Sequence, residues 1–139
     1  MKEKKDLLKN KIARNPGMDV RQFQTQIETW KRLLNSRMEE NVLLKIQISD
    51  ILRDNYDQNS LEEIEEFQTR FIREDELINT LRRGVNDLDN LLYGKLFESV
   101  KMEKSFDTKM ENLRKDIANS TVRFRILKST FNDFKHKQI

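Results

Sequence analysis

One feature constrains this sequence more than any other: apolar residues recur alternately every three and every four positions over three long stretches. That alternation puts them on one face of an α-helix and is typical of helices that pack along a coiled-coil-like seam. We call these series the seam of each helix. The first contains Val20, Phe23, Ile27, Trp30, Leu34, Leu44, Ile48 and Ile51. The second contains Ile64, Phe67, Phe71, Ile78, Leu81, Val85, Leu88 and Leu92. The third contains Phe106, Met110, Leu113, Ile117, Phe124, Leu127, Phe131 and Phe134.

Turn-forming residues divide the three stretches. Asn15-Pro16-Gly17 precedes the first, the polar run 55–60 follows it, and Ser60-Leu-Glu-Glu63 has the pattern of a helix-capping box. We predict helices at about residues 19–55, 60–93 and 97–137. The seam shifts phase by one residue between Leu92 and Met110, which favours a turn near Gly94, although one continuous helix with a local stutter is the alternative.

These helices predict an all-α fold. At 1.5 Å per residue they would be about 55, 50 and 60 Å long, and rods of matched length with short connections pack as an elongated antiparallel three-helix bundle. We assign residues 18–139 to the bundle and residues 1–17 to a basic arm or short helix. With 3 glycines and 1 proline in 139 residues, the chain has too few turn signals for a β-rich fold. The regular seams argue against the disorder that 37% charged residues would otherwise suggest.

Four polar residues interrupt the seams: Arg37, Asn41, Glu74 and Ser120. Polar groups at seam positions lower stability but fix register and helix number. We expect Arg37 and Glu74 to approach each other across the core, with Asn41 beside them, as a polar core layer. The alternative is that Arg37 packs only its stem and keeps its head in water.

Residues 42–52 are apolar on more than one side of the helix. Leu44, Ile48 and Ile51 fill the seam, so Val42, Leu43 and Ile46 point elsewhere. Two interpretations stand. A second copy of the chain covers these three residues in a homodimer, or a stutter near Met38 rotates the seam through Val42.

Charge is unevenly distributed. Residues 1–38 carry a net charge of +6, residues 39–93 of −8 and residues 94–139 of +5. We expect the acidic start of the second helix (Glu62, Glu63, Glu65, Glu66) to pair with the basic end of the third (Arg123, Arg125, Lys128, Lys135, Lys137), with a partner-binding surface as the alternative.

The N-terminal arm is separately basic, through Lys2, Lys4, Lys5, Lys9, Lys11 and Arg14. It suits a frayed helix beside the bundle, a segment that reaches RNA, DNA or another anionic surface, or plain disorder.

The residue inventory offers little chemistry. There is no cysteine, the single histidine, His136, stands near the end of a helix, and the glycines are too far apart for a phosphate loop. We therefore expect neither an enzyme nor a metal or cofactor site. The start of the chain lacks the apolar core of a secretory signal, and no apolar run is long enough to span a membrane. The lack of cysteine suits a reducing compartment, so we expect a cytoplasmic location.

Trp30-Lys-Arg-Leu-Leu, Glu39-Glu-Asn-Val-Leu-Leu-Lys45 and Phe71-Ile-Arg-Glu-Asp-Glu-Leu77 resemble a pattern in small uncharacterised coiled-coil proteins of bacteria. The resemblance covers the first two helices at most and implies no activity and no site residues. In architecture alone, the chain is similar to spectrin-like three-helix repeats.

The leading prediction is a non-enzymatic helical interaction or scaffold protein that binds partner proteins through its helix faces, with a homodimer as one arrangement. The alternative is a nucleic-acid- or ribosome-associated factor that uses the basic arm and the basic end of the third helix. Its binding would weaken steeply with salt.

Overall fold

The computed structural model describes residues 20–54, 58–94 and 100–137, and it contains three α-helices. Helix α1 is Val20–Asp54, α2 is Gln58–Tyr93 and α3 is Val100–Lys137. The predicted bundle of three long helices is confirmed. Helix α2 begins two residues before the predicted start, so Ser60 lies inside its first turn and is buried rather than preceding the helix as a cap.

Helix α2 ends where the phase shift of the seam indicated. Gly94 forms a turn directly after Tyr93, and its backbone N–H donates to the carbonyl oxygen of Asn90 at 2.9 Å. A Cβ at position 94 would lie 2.9 Å from that same oxygen, closer than a methyl group tolerates. The prediction of a turn near Gly94 is confirmed, and a single helix running through this point is excluded.

The described residues form two compact units, each with one segment of every helix. The first unit comprises residues 20–33, 82–94 and 100–115, and the second comprises residues 34–54, 58–81 and 116–137. In the first unit, Phe23 meets Phe106 edge to face, with ring centroids 5.1 Å apart. Lys31 binds Asp89 across α1 and α2, with Nζ 2.5 Å from the carboxylate oxygen.

The core of the second unit is built on aromatic rings. Phe131 is fully buried, and its ring centroid lies 5.3 Å from that of Phe67, 5.4 Å from that of Phe71 and 6.4 Å from that of Phe134. Leu44 and Ile48 of α1 complete this cluster. Rings that meet at such distances in tilted or edge-on geometry are more favourable than their buried area alone suggests.

Contacts in the second unit show how its helix segments run. Arg37 and Gln47 of α1 bind Ser120 and Lys135 of α3, so these two helices run in the same direction. Glu74 of α2 meets Arg123, whereas Phe67, earlier in α2, meets Phe134, later in α3. Helix α2 is therefore antiparallel to the other two, as the prediction of an up-down-up bundle requires.

Candidate functional site

The three residues of the predicted polar core layer are all buried in the second unit. Arg37, Asn41 and Glu74 expose 5%, 0% and 3% of their surface. Arg37 donates from its two terminal nitrogens to the hydroxyls of Ser120 and Thr121, at 2.8 Å in both cases. The alternative in which the head of Arg37 lies in water is therefore wrong.

Glu74 takes its ion-pair partner from α3. Its carboxylate accepts from Arg123 at 2.7 Å (Nε) and 3.4 Å (Nη2). Within the described residues, Arg37 and Glu74 bind side chains of α3 and not each other, so the expected approach of the two is not seen as an ion pair. Burial lowers the pKa of Arg37 from its usual value, and the negative charge of Glu74 partly opposes this shift. The Arg37 guanidinium also lies 5.7 Å from the ring centroid of Phe124, within the range of a cation–π contact.

Asn41 joins the polar layer through α2. Its Nδ2 donates to the backbone carbonyl of Phe71 at 2.9 Å and to Oδ1 of Asp75 at 2.6 Å, and Lys45 binds the other carboxylate oxygen of Asp75. The Oδ1 atom of Asn41 is buried without a hydrogen-bond partner. A buried acceptor left unpaired costs stability. That Asn41 fixes the register of α1 on α2 stays a prediction.

An exposed apolar patch lies on α1. Val42, Leu43 and Ile46 expose 44%, 60% and 51% of their surface, and we call them the α1 patch. The seam continues unbroken past them through Asn41 and Leu44, which are buried. The proposed stutter near Met38 is therefore wrong, and the three residues are left on the outside of this chain.

A second exposed surface, which the sequence analysis did not single out, lies between α2 and α3. Ile126 is 60% exposed and borders a groove of about 480 Å³. We call this the arginine groove. It is lined by Arg70, Arg73, Glu74, Leu77, Arg123, Ile126, Leu127 and Thr130. The signal was present in the sequence, because Val122 and Ile126 are apolar residues four positions apart that lie off the seam, as Val42 and Ile46 are.

The basic end of α3 binds partners that the sequence did not predict. Lys128 pairs with Glu40 of α1, and Lys135 donates to Oε1 of Gln47 at 2.7 Å. With Arg123 on Glu74, three of the five basic residues bind side chains outside the predicted cluster. Within that cluster, Glu66 pairs with Arg70 of its own helix at 2.7 Å. For Arg123, Lys128 and Lys135, the predicted pairing with Glu62, Glu63, Glu65 and Glu66 is therefore wrong.

The other candidate residues are those of the basic arm and the single histidine. The basic arm, with Lys2, Lys4, Lys5, Lys9, Lys11 and Arg14, lies outside the described residues. The exposed His136 directs Nδ1 to the carbonyl oxygen of Asn132 at 2.6 Å. Across residues 20–54, 58–94 and 100–137, no three histidine, aspartate or glutamate side chains group in a way that could hold a metal ion.

Comparison with known proteins identifies no relative. No protein-family model, no curated protein and no solved structure matches this chain. Within the part of the chain that the structure describes, no helix has an apolar stretch that could cross a membrane.

Proposed function

We propose that this chain is a non-enzymatic interaction protein that binds a partner through the α1 patch. The observation that carries the proposal is the exposure of Val42, Leu43 and Ile46, at 44%, 60% and 51%, beside a seam that is buried. Single exposed apolar residues are common on protein surfaces, but three within five positions of one helix form a contiguous patch, which marks an interaction site.

The spacing of the α1 patch fits a helix-in-groove contact. Ile46 lies four residues after Val42 and three after Leu43, so the three side chains project from one outward strip of α1. Fully burying an aliphatic side chain of this size contributes about 1.5–3 kcal/mol before the costs of association are subtracted. Three such anchors support a specific contact of moderate affinity. A scaffold role and a cytoplasmic location are part of this proposal.

The nucleic-acid alternative finds less support among the described residues. Arg123, Lys128 and Lys135 would each have to exchange a partner in the bundle for a phosphate. The basic arm stays a prediction. The net charge of +3 is small for a protein dedicated to binding phosphates.

The proposal is tested by affinity capture from a lysate of the source cells. The tagged wild type is compared with Ile46→Glu and with Tyr93→Glu, which places the same charge at a 68% exposed position of the first unit. We expect the wild type and Tyr93→Glu to retain the same protein after nuclease treatment and in high salt. Ile46→Glu should retain at least about tenfold less of it, because burying a charge in the contact removes more than about 1.4 kcal/mol of binding free energy.

Two results would contradict the proposal. Equal capture by the wild type and Ile46→Glu would show that the α1 patch is not the site. Recovery of nucleic acid or ribosomal proteins that disappear with nuclease or salt would favour the alternative function, because counterion release makes phosphate binding strongly salt-dependent.

A further inference from the structure

We propose that the partner of the α1 patch is a second copy of this chain, which offers its arginine groove, so that copies associate head to tail. This inference rests on the proposed function, because it names the occupant of the same patch. Both surfaces belong to the second unit, and their properties are complementary in shape, polarity and charge.

The arginine groove has an apolar floor and a basic rim. Leu127 is buried, Leu77 is half-buried and Ile126 is exposed, so the groove offers aliphatic surface to an incoming side chain. Arg70 and Arg123 stand on its rim with 51% and 44% of their side chains exposed. Arg70 is paired with Glu66 of its own helix, and Arg123 is paired with Glu74. The surface that fits this groove is apolar and flanked by carboxylates.

The outward strip of α1 has that character. Glu39 precedes Val42 by three residues and is exposed. Asp50 follows Ile46 by four residues with 52% of its side chain exposed, and Arg53 of the same helix binds its carboxylate at 2.5 Å. Residues three and four apart share a helix face, so the carboxylates lie at the two ends of the α1 patch. Among the described residues, neither Glu39 nor Arg73 of the groove forms an ion pair, so both charges are available to a partner.

The lengths of the α1 strip and of the groove can be compared from the helix rise. The strip from Glu39 to Asp50 is about 16 Å long, and each wall of the groove, residues 70–77 and 123–130, is about 10 Å long. The α1 patch, residues 42–46, is about 6 Å long and fits within the groove, and Glu39 and Asp50 beyond its two ends can reach the arginines on the groove walls.

The placement of the two surfaces determines the kind of association. In a three-helix arrangement the groove between α2 and α3 lies across the unit from the outer face of α1, so the two surfaces of one copy point in opposite directions. A contact between unlike surfaces is heterologous, and it continues into rings or open chains instead of closing as a two-fold dimer. A two-fold dimer through the α1 patch alone would set carboxylates against carboxylates and leave the groove empty.

Sedimentation of the purified full chain tests the proposal with three variants. Ile46→Glu disables the patch, Ile126→Glu disables the groove, and Tyr93→Glu is the matched control. Loading concentrations from about 5 to 500 μM cover the weak end of specific protein–protein association. We expect the mass of the wild type and of Tyr93→Glu to rise with concentration beyond that of a dimer, and each disabled variant alone to stay a monomer with unchanged helical circular dichroism.

The decisive sample is the equimolar mixture of Ile46→Glu and Ile126→Glu. One variant keeps a working groove and the other keeps a working patch, so the mixture should form one-to-one dimers that cannot grow further. A charge exchange adds a second criterion: Arg73→Glu should weaken association about tenfold or more, and the double variant Glu39→Arg/Arg73→Glu, which reverses both charges in one chain, should restore association beyond a dimer.

Each contrary result overturns the proposal in a recognisable way. A wild type that stays monomeric at the highest concentration removes self-association, and the proposed function then stands or falls on the capture experiment alone. A dimer abolished by Ile46→Glu but unaffected by Ile126→Glu identifies two-fold pairing of the α1 patch. A mixture that remains monomeric shows that the patch and the groove do not recognise each other.

Discussion

The most specific stability prediction for the polar core layer concerns Glu74. Its side chain is 4% exposed, and its charge offsets the burial that lowers the pKa of Arg37. Replacing Glu74 by leucine leaves the buried cation of Arg37 with only the weaker attraction of Glu40, whereas Arg123, which is 44% exposed, can turn into water. Replacing Arg37 by leucine removes the buried cation and leaves Glu74 paired with Arg123. The two substitutions should therefore have unequal effects.

The magnitudes follow from these partners. Leaving a buried charge without its compensating charge costs about 3–5 kcal/mol. We expect about 3 kcal/mol for Glu74→Leu, because Arg37 keeps its two hydroxyl acceptors at 2.8 Å. For Arg37→Leu we expect a loss of about 1 kcal/mol, from two hydrogen bonds partly offset by the added apolar contact. The double variant should lie within about 1 kcal/mol of the wild type, since an apolar replacement of a buried charge pair is often neutral or stabilising.

Urea unfolding followed by far-ultraviolet circular dichroism measures all three variants. With a slope of about 2 kcal/mol per molar urea, Glu74→Leu should lower the midpoint by about 1.5 M. Glu66→Leu is the matched control, because Glu66 forms an exposed pair with Arg70 and its removal should change stability by less than about 0.5 kcal/mol. The reasoning is refuted if Glu74→Leu is as stable as the wild type, or if the losses of the two single variants simply add in the double variant.

Three further predictions concern single residues. Asn41→Leu should leave the free energy of unfolding unchanged within about 1 kcal/mol or raise it, because it removes a buried oxygen without a hydrogen bond; a large loss in urea unfolding would contradict this. The hydrogen bond and charge of Asp89 raise the pKa of Lys31. Lys31→Met should therefore lower the free energy of unfolding by its full amount below pH about 10.4, and this loss should become smaller as the pH rises through the raised pKa of Lys31. A loss in urea unfolding that stays the same across this pH range would contradict this. Phe131→Ala should cost about 3–5 kcal/mol because this side chain is fully buried against three other rings, and a urea-measured loss below about 1 kcal/mol would argue against the cluster.

The seam was predictable because its signal comes from helix geometry itself. A spacing of three and four places residues on one face whatever lies opposite, so Phe23, Ile27 and Leu34 were identified as core without knowledge of their partners, and each is buried. The burial of Arg37, Asn41 and Glu74 followed from the same register. In a sustained seam, position determines burial even where the residue is polar.

Partner choice was not predictable, because a long charged side chain can reach several positions on two neighbouring helices. The pairs of Arg123 with Glu74 and of Lys128 with Glu40 depend on the rotation and stagger of the helices, which the sequence does not show. Glu103 was missed for a different reason. It lies three residues before Phe106 and is fully buried, but the seam was traced through apolar residues and therefore began at Phe106.

The chain has one tryptophan, Trp30, and it is 6% exposed within the first unit. The phenylalanine cluster that contains Phe131 belongs to the second unit. Intrinsic fluorescence is therefore a local reporter of the first unit, whereas circular dichroism averages over helical segments of both. If the two signals give coincident transitions, unfolding is a single cooperative event; if fluorescence changes at a different urea concentration, the halves of the same helices melt separately. The chain thus needs no added label for an experiment that measures how far cooperativity extends along a long helix.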